Sequence, residues 1–141
     1  MVDRFFNWLK NEYNKCLTNS CREQGVVLRL GSVTRRSLII DCNKYKKKFK
    51  LEEGSKIGDR IIFVKKGSRE LVVVSLELEK EVEDLEYCCE QVQRNAEIAE
   101  RIIKASGFLR DLEIEFLPLL VHQRGISSPI ARHIPKAYRI Y

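Results

Sequence analysis

The sequence predicts an α/β domain in which a central mixed β-sheet is flanked by helices. Near the start of the chain and again across residues 82–106, apolar residues recur at spacings of three and four, which is the period of a helix. Between these two segments lie short runs rich in Val, Ile and Leu, which are typical of strands. A chain of 141 residues can bury a core without a disulfide framework. We therefore expect one domain over residues 1–125, followed by a basic tail over 126–141.

Composition and cysteine use exclude several classes of protein. Hydrophobic residues make up 44% of the chain and charged residues 33%, which excludes a disordered or collagen-like chain. No stretch approaches the ~20 apolar residues of a membrane helix, and no signal peptide is recognisable, so we expect a cytoplasmic protein without a membrane partner. The five cysteines form no CxxC pair, which gives no support for a structural zinc site. The abundance of Lys, Glu and Ile is typical of thermophilic sources.

The first segment, from Asp3 to about Gln24, is predicted to be helical. Its apolar side chains form one stripe, and Asp3 can cap the start of the helix. Gly25 follows the expected end of the helix, as glycine often does. Residues 26–30 are then expected to form a short strand because they are β-branched or leucine.

Residues 31–57 are predicted to form an inserted β-hairpin with a strong positive charge. Residues 37–42 are the better strand candidate of this segment, and residues 48–51 are the weaker one. The densest basic run in the chain, residues 44–50, lies between and within these strands.

The second half of the chain gives the clearest pattern. Residues 59–64 and 71–79 are predicted strands, joined by a tight turn at 66–68. The strand over 71–79 is apolar on both faces at its start, which is typical of a central strand. A helix is expected over about 82–106, with Gly107 as its stop, and then a strand over 113–121 that Pro118 places at an edge or at a bulge.

The net charge of +6 is unevenly distributed along the chain. Residues 1–80 carry +8, residues 81–115 carry −6 and residues 116–141 carry +4. The basic run is interpreted either as a solvated surface that keeps the protein soluble or as a phosphate-binding patch. We expect the acidic helix to face away from any phosphate backbone. The candidate nucleic-acid contacts are Arg35, Arg36, Lys44, Lys46, Lys47, Lys48, Lys50 and Arg124.

Three carboxylates are predicted to converge at one end of the sheet. Glu77 and Glu79 are two residues apart on a strand, so both side chains project from the same face. If the two strands pair as an antiparallel hairpin, Asp59 at the start of one lies beside Glu77 and Glu79 at the end of the other. Converging carboxylates repel one another unless a cation or a proton intervenes, and Mg²⁺ prefers hard oxygen ligands. The alternative is a solvated face with cross-strand salt bridges to lysines.

The order of elements resembles that of the PD-(D/E)xK nuclease superfamily, which includes restriction endonucleases and Holliday-junction resolvases. The matching residues are Asp59, within Gly58-Asp59-Arg60-Ile61, and the segment Glu77-Leu78-Glu79. The resemblance covers residues 3–30 and 58–121. It implies a restriction-endonuclease-like fold, a DNA substrate that is duplex or branched, and hydrolysis of a phosphodiester bond with Mg²⁺ or Mn²⁺.

The resemblance also implies roles for individual residues. Asp59 and Glu77 would hold the metal, together with Glu79 or with Glu12 on the first helix, for which Glu23 is the second match. Gln91 on the following helix would orient the site. The chain departs from the family pattern at two positions. Gly58 stands in place of the proline before the aspartate, and Glu79 stands in place of the lysine of the motif. Glu79 would then assist the attacking water, or Lys80 would do so if a bulge redirected its side chain.

Two other functions remain open from the sequence. The same scaffold can be a catalytically inactive module that binds nucleic acid or another protein. Alternatively, the acidic helix over 81–100 can form the face of a homodimer.

Overall fold

The computed structural model describes residues 1–51 and 57–122 in full, and residues 139–140 in their backbone only. Within these residues, the helices are α1 (Val2–Glu12), α2 (Cys42–Lys48) and α3 (Leu85–Ser106). The strands are β1 (Leu17–Thr18), β2 (Cys21–Glu23), β3 (Val26–Leu28), β4 (Ser37–Asp41), β5 (Arg60–Lys65), β6 (Glu70–Glu79), β7 (Glu113–His122) and β8 (Arg139–Ile140). The predicted α/β class is confirmed.

The central sheet is mixed, as the sequence predicts. Its strand order is β1-β4-β5-β6-β7-β8, and β2 and β3 form a separate two-stranded sheet. The strands from β1 to β6 pair antiparallel, whereas β7 pairs parallel with β6 and β8 parallel with β7. A parallel neighbour requires a crossover connection, and α3 supplies it between β6 and β7.

The two faces of the central sheet are covered by different structures. The helices pack on one face, where side chains such as Phe5 of α1, Phe63 of β5 and Ile102 of α3 form the main core. The β2–β3 hairpin covers part of the other face, where Cys21 and Val26 join a second core. The helices therefore lie on one side of the sheet rather than on both.

The buried side chain of Arg60 fastens the β2–β3 hairpin to the sheet. Its guanidinium group donates to the backbone carbonyls of Ser20 at 3.2 Å and Arg22 at 2.8 Å. The carboxylates of Glu23 and Asp41 lie 3.5 and 3.8 Å from it. A buried charge of this kind needs such partners, because removing them would leave it unpaired away from water.

The predicted first helix is wrong beyond residue 12. α1 ends at Glu12, a 3₁₀ turn covers Asn14–Cys16, and β1 and β2 follow. Gln24 and Gly25, expected at a helix end, form the two-residue turn of the β2–β3 hairpin, with φ of 49° and 83°. Positive φ at both positions is the geometry of a type I′ hairpin turn. The predicted strand over residues 26–30 is confirmed at Val26–Leu28.

The predicted inserted β-hairpin over residues 31–57 is also wrong. Residues 31–36 form a 3₁₀ helix, and β4 is an integral strand of the central sheet between β1 and β5. The lysine run, expected in a hairpin, lies on α2 except for Lys50, which follows the helix. The start of α2 is capped by the Asp41 side chain at the Asn43 and Lys44 amides. The cap explains the helix, since an aspartate oxygen satisfies backbone amides that have no intrahelical partner. The weaker strand predicted at residues 48–51 is absent.

The β5–β6 hairpin, α3 and β7 match the sequence prediction closely. β5 and β6 pair in an antiparallel hairpin, and α3 ends at Gly107, which has the left-handed φ of 80°. Pro118 lies on the part of β7 that has a neighbour on only one side among the described residues. No helix in the described part of the chain is both long and apolar enough to cross a membrane.

Candidate functional site

The pairing of β5 with β6 brings Asp59 next to the end of β6. The register places Arg60 opposite Leu76, so Asp59 lies opposite Glu77. The amide of Asp59 donates to the Leu76 carbonyl at 3.0 Å, and its carboxylate Oδ2 accepts from the Leu78 amide at 2.7 Å. These two contacts fix the Asp59 carboxylate beside the strand that carries Glu77 and Glu79.

Glu77 is the buried centre of this carboxylate cluster, which consists of Asp59, Glu77 and Glu79. Glu77 is only 2% exposed, and its Oε2 has no hydrogen-bond donor among the described residues. Burial, the negative charge of Asp59 and hydrogen bonding to the carboxyl groups of Asp59 and Glu79 raise the pKa of Glu77 to about 11. Carboxyl oxygens can approach one another in this way only with a proton or a cation between them. The cluster is therefore a place that holds one or the other.

Glu79 lies at the outer edge of the cluster. Its pKa is raised by partial burial and by the nearby charges of Asp59 and Glu83. It lines a cleft of about 380 Å³ together with four other charged side chains, those of Lys80, Glu81, Glu83 and Asp84. Three of these carboxylates, those of Glu81, Glu83 and Asp84, lie between β6 and α3, so an acidic cleft adjoins the cluster.

Asn95 of α3 positions the chain on either side of Asp59. Its side chain is fully buried. The Oδ1 atom accepts from the Gly58 amide at 3.0 Å and lies 3.6 Å from the Cys42 thiol, while Nδ2 donates to the Arg60 carbonyl at 3.2 Å. Both neighbours of Asp59 in the sequence are thus held by one side chain.

The close approach of Asn95 to the backbone at position 58 requires a glycine there. A Cβ there would lie 2.5 Å from Asn95 Nδ2 and 3.1 Å from Glu77 Oε2. A proline would in addition lack the amide hydrogen that binds Asn95. Neither alanine nor proline therefore fits at position 58 without displacing these neighbours.

Comparisons with known proteins do not assign a family. No protein-family model, curated protein or solved structure matches the chain significantly.

Gln91 lies one helical turn before Asn95 and adjoins the same segment. Its Nε2 donates to the Ile57 carbonyl at 3.1 Å, and its Oε1 is buried without a partner among the described residues. Gln91 therefore contacts the backbone that leads into Asp59, and its role in orienting the site stays a prediction.

The other two predicted catalytic residues are placed differently. Glu12 is exposed at the end of α1, its backbone carbonyl accepts from Lys48, and no described contact joins it to the cluster. The structure thus gives no contact for the role proposed for Glu12, and its second match, Glu23, pairs with Arg60. Lys80 follows the last residue of β6 and is exposed at the cleft that Glu79 also lines.

The lysine run lies on α2, which begins beside Asp59. The amide of Cys42 donates to the Asp59 carbonyl at 3.1 Å, so the start of α2 is anchored at the cluster. Two of the lysines bind the protein itself: Lys44 donates to the Leu17 carbonyl, and Lys48 lies over the ring of Tyr13. The side chains left for an external anion are those of Lys46, which is half-buried, and of the exposed Lys47 and Lys50.

The predicted arginine contacts are separated from the carboxylates. Arg35 and Arg36 precede β4, and Ser37 at that end of β4 pairs with Val64, whereas Asp41 at the other end pairs with Arg60. The arginines therefore lie at the opposite end of β4 from the carboxylate cluster. Arg124 and the predicted tail up to residue 138 lie outside the described residues.

The sequence analysis missed Asn95, although a signal for it exists. Asn95 lies four residues after Gln91, so both occupy one face of α3. The buried face of α3 also includes Cys88, Ile98 and Ile102, and a buried amide in an otherwise apolar stripe requires a specific partner.

Proposed function

We propose that this protein is a divalent-cation-dependent phosphodiester hydrolase that acts on DNA. The observation that supports it is the buried Glu77 carboxyl, which has a donorless oxygen and contacts the carboxyl groups of Asp59 and Glu79. A set of hard oxygen donors with a negative charge in excess is chemically suited to Mg²⁺ or Mn²⁺.

A magnesium or manganese site here would consist of two carboxylates of the protein and of oxygen atoms from water and substrate. Within the described residues, no group of three or more His, Cys, Asp or Glu side chains is arranged to hold a metal ion by itself. Mg²⁺ is often held by one or two carboxylates, with water and substrate phosphate oxygens filling the other positions. Asp59 and Glu77 are the proposed ligands, and the bound ion would polarise the phosphodiester and lower the pKa of the attacking water.

The residues around the proposed ligands hold them in place. Asn95 and the Leu78 amide fix the backbone and the carboxylate of Asp59, and Gln91 binds the backbone at Ile57. Glu79, which lines the cleft beside the cluster, would accept a proton from a water that enters from the cleft.

A second candidate is a nucleic-acid-binding module without catalysis. Among the described residues, no lysine or arginine forms an ion pair with Asp59, Glu77 or Glu79, so the cluster lacks a cationic side chain of its own. A protonated Glu77 would then satisfy the cluster without any metal.

Cleavage of a DNA panel separates the two candidates. Single-stranded, duplex, flap and four-way-junction DNA are incubated with the protein in Mg²⁺, in Mn²⁺ and in EDTA. We expect cleavage only with the metal, and its loss in Asp59→Asn but not in Asp111→Asn, which removes an exposed carboxylate elsewhere. An intact panel at high protein concentration, or equal cleavage by the two variants, would contradict the hydrolase.

A further inference from the structure

A second cleft lies on the face of the sheet opposite the helices, and it carries the opposite charge. Its volume is about 260 Å³, and it lies where the open end of the β2–β3 hairpin meets the 3₁₀ helix over 31–36. Arg22 and Arg29 line it, and its lining includes no carboxylate. Both arginine side chains are exposed and make no hydrogen bond or ion pair with other described residues.

The wall of this arginine cleft combines polar donors with an apolar surface. Asn19, Ser20 and Thr34 contribute a side-chain amide and two hydroxyls. Leu28 and Val27, the latter 37% exposed, add apolar surface. Guanidinium groups form paired hydrogen bonds with phosphate oxygens, and hydroxyl and amide donors complete such contacts.

The surroundings keep the cleft positive. Glu23, the nearest acidic residue of the hairpin, is turned to the buried guanidinium of Arg60, which also faces Asp41. Arg35 and Arg36 directly follow Thr34 of the wall and are exposed. Two arginines therefore line this cleft and two more follow its wall in the sequence, while the carboxylates of Glu23 and Asp41 face Arg60.

We propose that the arginine cleft binds a phosphate group of a nucleic-acid strand. Arg22 and Arg29 bind the phosphate oxygens, and the apolar wall contacts the adjoining sugar. A volume of about 260 Å³ is below the ~300 Å³ at which ligand pockets usually begin, which fits a phosphate and part of its sugar better than a whole cofactor. The inference does not require the carboxylate cluster to be catalytic.

Binding of labelled oligonucleotides in EDTA tests this site without cleavage. Fluorescence anisotropy is measured over a salt series for the wild type and for Arg22→Gln/Arg29→Gln. We expect the double variant to bind at least about ten-fold more weakly, with a salt slope smaller by about 0.7 for each lost phosphate contact on a single strand. The matched control is Arg69→Gln/Arg110→Gln, which removes the same charge from exposed positions outside the cleft and should weaken binding less than two-fold.

A substitution in the wall of the arginine cleft gives a second, independent test of the proposal. Val27→Asp places a negative charge in the cleft and should abolish the arginine-dependent binding, whereas Val27→Asn, of nearly the same shape, should retain most of it. Circular dichroism verifies that each variant is folded. Equal loss in the cleft and control double variants, or equal binding by Val27→Asp and Val27→Asn, would overturn the proposal.

Other anions identify the source of the phosphate. Inorganic phosphate and ATP are tested as competitors, and we expect an oligonucleotide to bind more tightly than either because it adds neighbouring phosphates. Competition by ATP at equal affinity would assign the site to a free nucleotide instead of a strand. Arginine-dependent binding to vesicles containing phosphatidylserine, without binding to the oligonucleotide, would overturn the nucleic-acid assignment.

Discussion

The two clefts at either end of the β2–β3 hairpin have opposite charge. The turn of the hairpin, at Gln24, reaches the acidic cleft beside Glu79, whereas its open end lines the arginine cleft. One buried side chain, that of Arg60, holds the hairpin between them. A net charge of +6 therefore conceals two regions of opposite charge, an acidic one at the turn of the hairpin and a basic one at its open end.

The largest expected effect comes from removing the residue that joins the two regions. Arg60→Met leaves the Ser20 and Arg22 carbonyls and the Glu23 and Asp41 carboxylates without their shared donor. We expect the free energy of unfolding to fall by about 3–5 kcal/mol, measured by urea denaturation. Arg69→Met, at an exposed arginine, should change it by about 0.5 kcal/mol or less. A similar small change in both variants would contradict the fastening role of Arg60.

Kinetics should assign different roles to the carboxylate cluster and to the arginine cleft. Asp59→Asn is expected to lower kcat for DNA cleavage at least about 100-fold, because it removes a proposed metal ligand, without weakening DNA binding in EDTA. Loss of Arg22 and Arg29 should appear in KM instead, as about a ten-fold increase, because their contacts are made before and during the reaction alike. Steady-state rates over a substrate series give both constants. If the loss of Arg22 and Arg29 lowered kcat as much as Asp59→Asn does, the proposed difference in roles would be contradicted.

Removing the amide that positions Asp59 should have a smaller but measurable effect. Asn95→Leu leaves the Gly58 amide and the Arg60 carbonyl buried without partners, and we expect a loss of about 2 kcal/mol of stability. Gly58→Ala should also destabilise, because its methyl group would overlap Asn95 Nδ2. The double variant Gly58→Ala/Asn95→Ala, compared with Gly58→Ala and Asn95→Ala alone, tests the coupling, since the alanine at 95 makes room for the methyl group. Additive losses would contradict a direct contact between the two positions.

A pH series tests the protonation of Glu77. Glu77 has a folded pKa of about 11, above the ~4.3 of an unfolded glutamate. The folded state therefore holds a proton that the unfolded state releases, and this contribution to stability is full below about pH 4 and declines as the pH rises. We expect the wild type in EDTA to lose up to about 1.4 kcal/mol per pH unit above pH 5 relative to Glu77→Gln. Glu113→Gln, at an exposed carboxylate, should follow the wild type; a parallel course of all three would contradict the shift.

The sequence predicted the part of the fold in which local patterns and tertiary structure agree. The β5–β6 hairpin and α3 have continuous apolar runs or stripes, and their pairing could be inferred from the turn at residues 66–68. That pairing alone placed Asp59 beside Glu77. Prediction from the sequence failed where a short element depends on a partner that is distant in the chain, because no local pattern reveals such a partner.

Two elements illustrate this failure. The β2–β3 hairpin has only three residues in each strand, and it is held by Arg60 from another part of the chain. Its first strand continues the apolar spacing of α1 at Cys21, so the sequence predicts a longer helix there, whereas its second strand is predicted correctly. The lysine run forms α2 because Asp41 caps it, which a strand prediction based on neighbouring residues did not consider. Asn95 could have been found, since the sequence shows an amide side chain at a position of the apolar stripe of α3.

Cation binding by the carboxylate cluster is the central claim, and thermal unfolding with added metal tests it most directly. At pH 7, Mg²⁺ or Mn²⁺ should stabilise the wild type by about 2.7 kcal/mol at 100 times the dissociation constant. Asp59→Asn and Glu77→Gln should not respond, while Asp111→Asn should respond like the wild type. Stabilisation that depends on metal concentration and is lost only in the two cluster variants is the predicted result. No response in any protein, or an equal response in all four, would contradict the account.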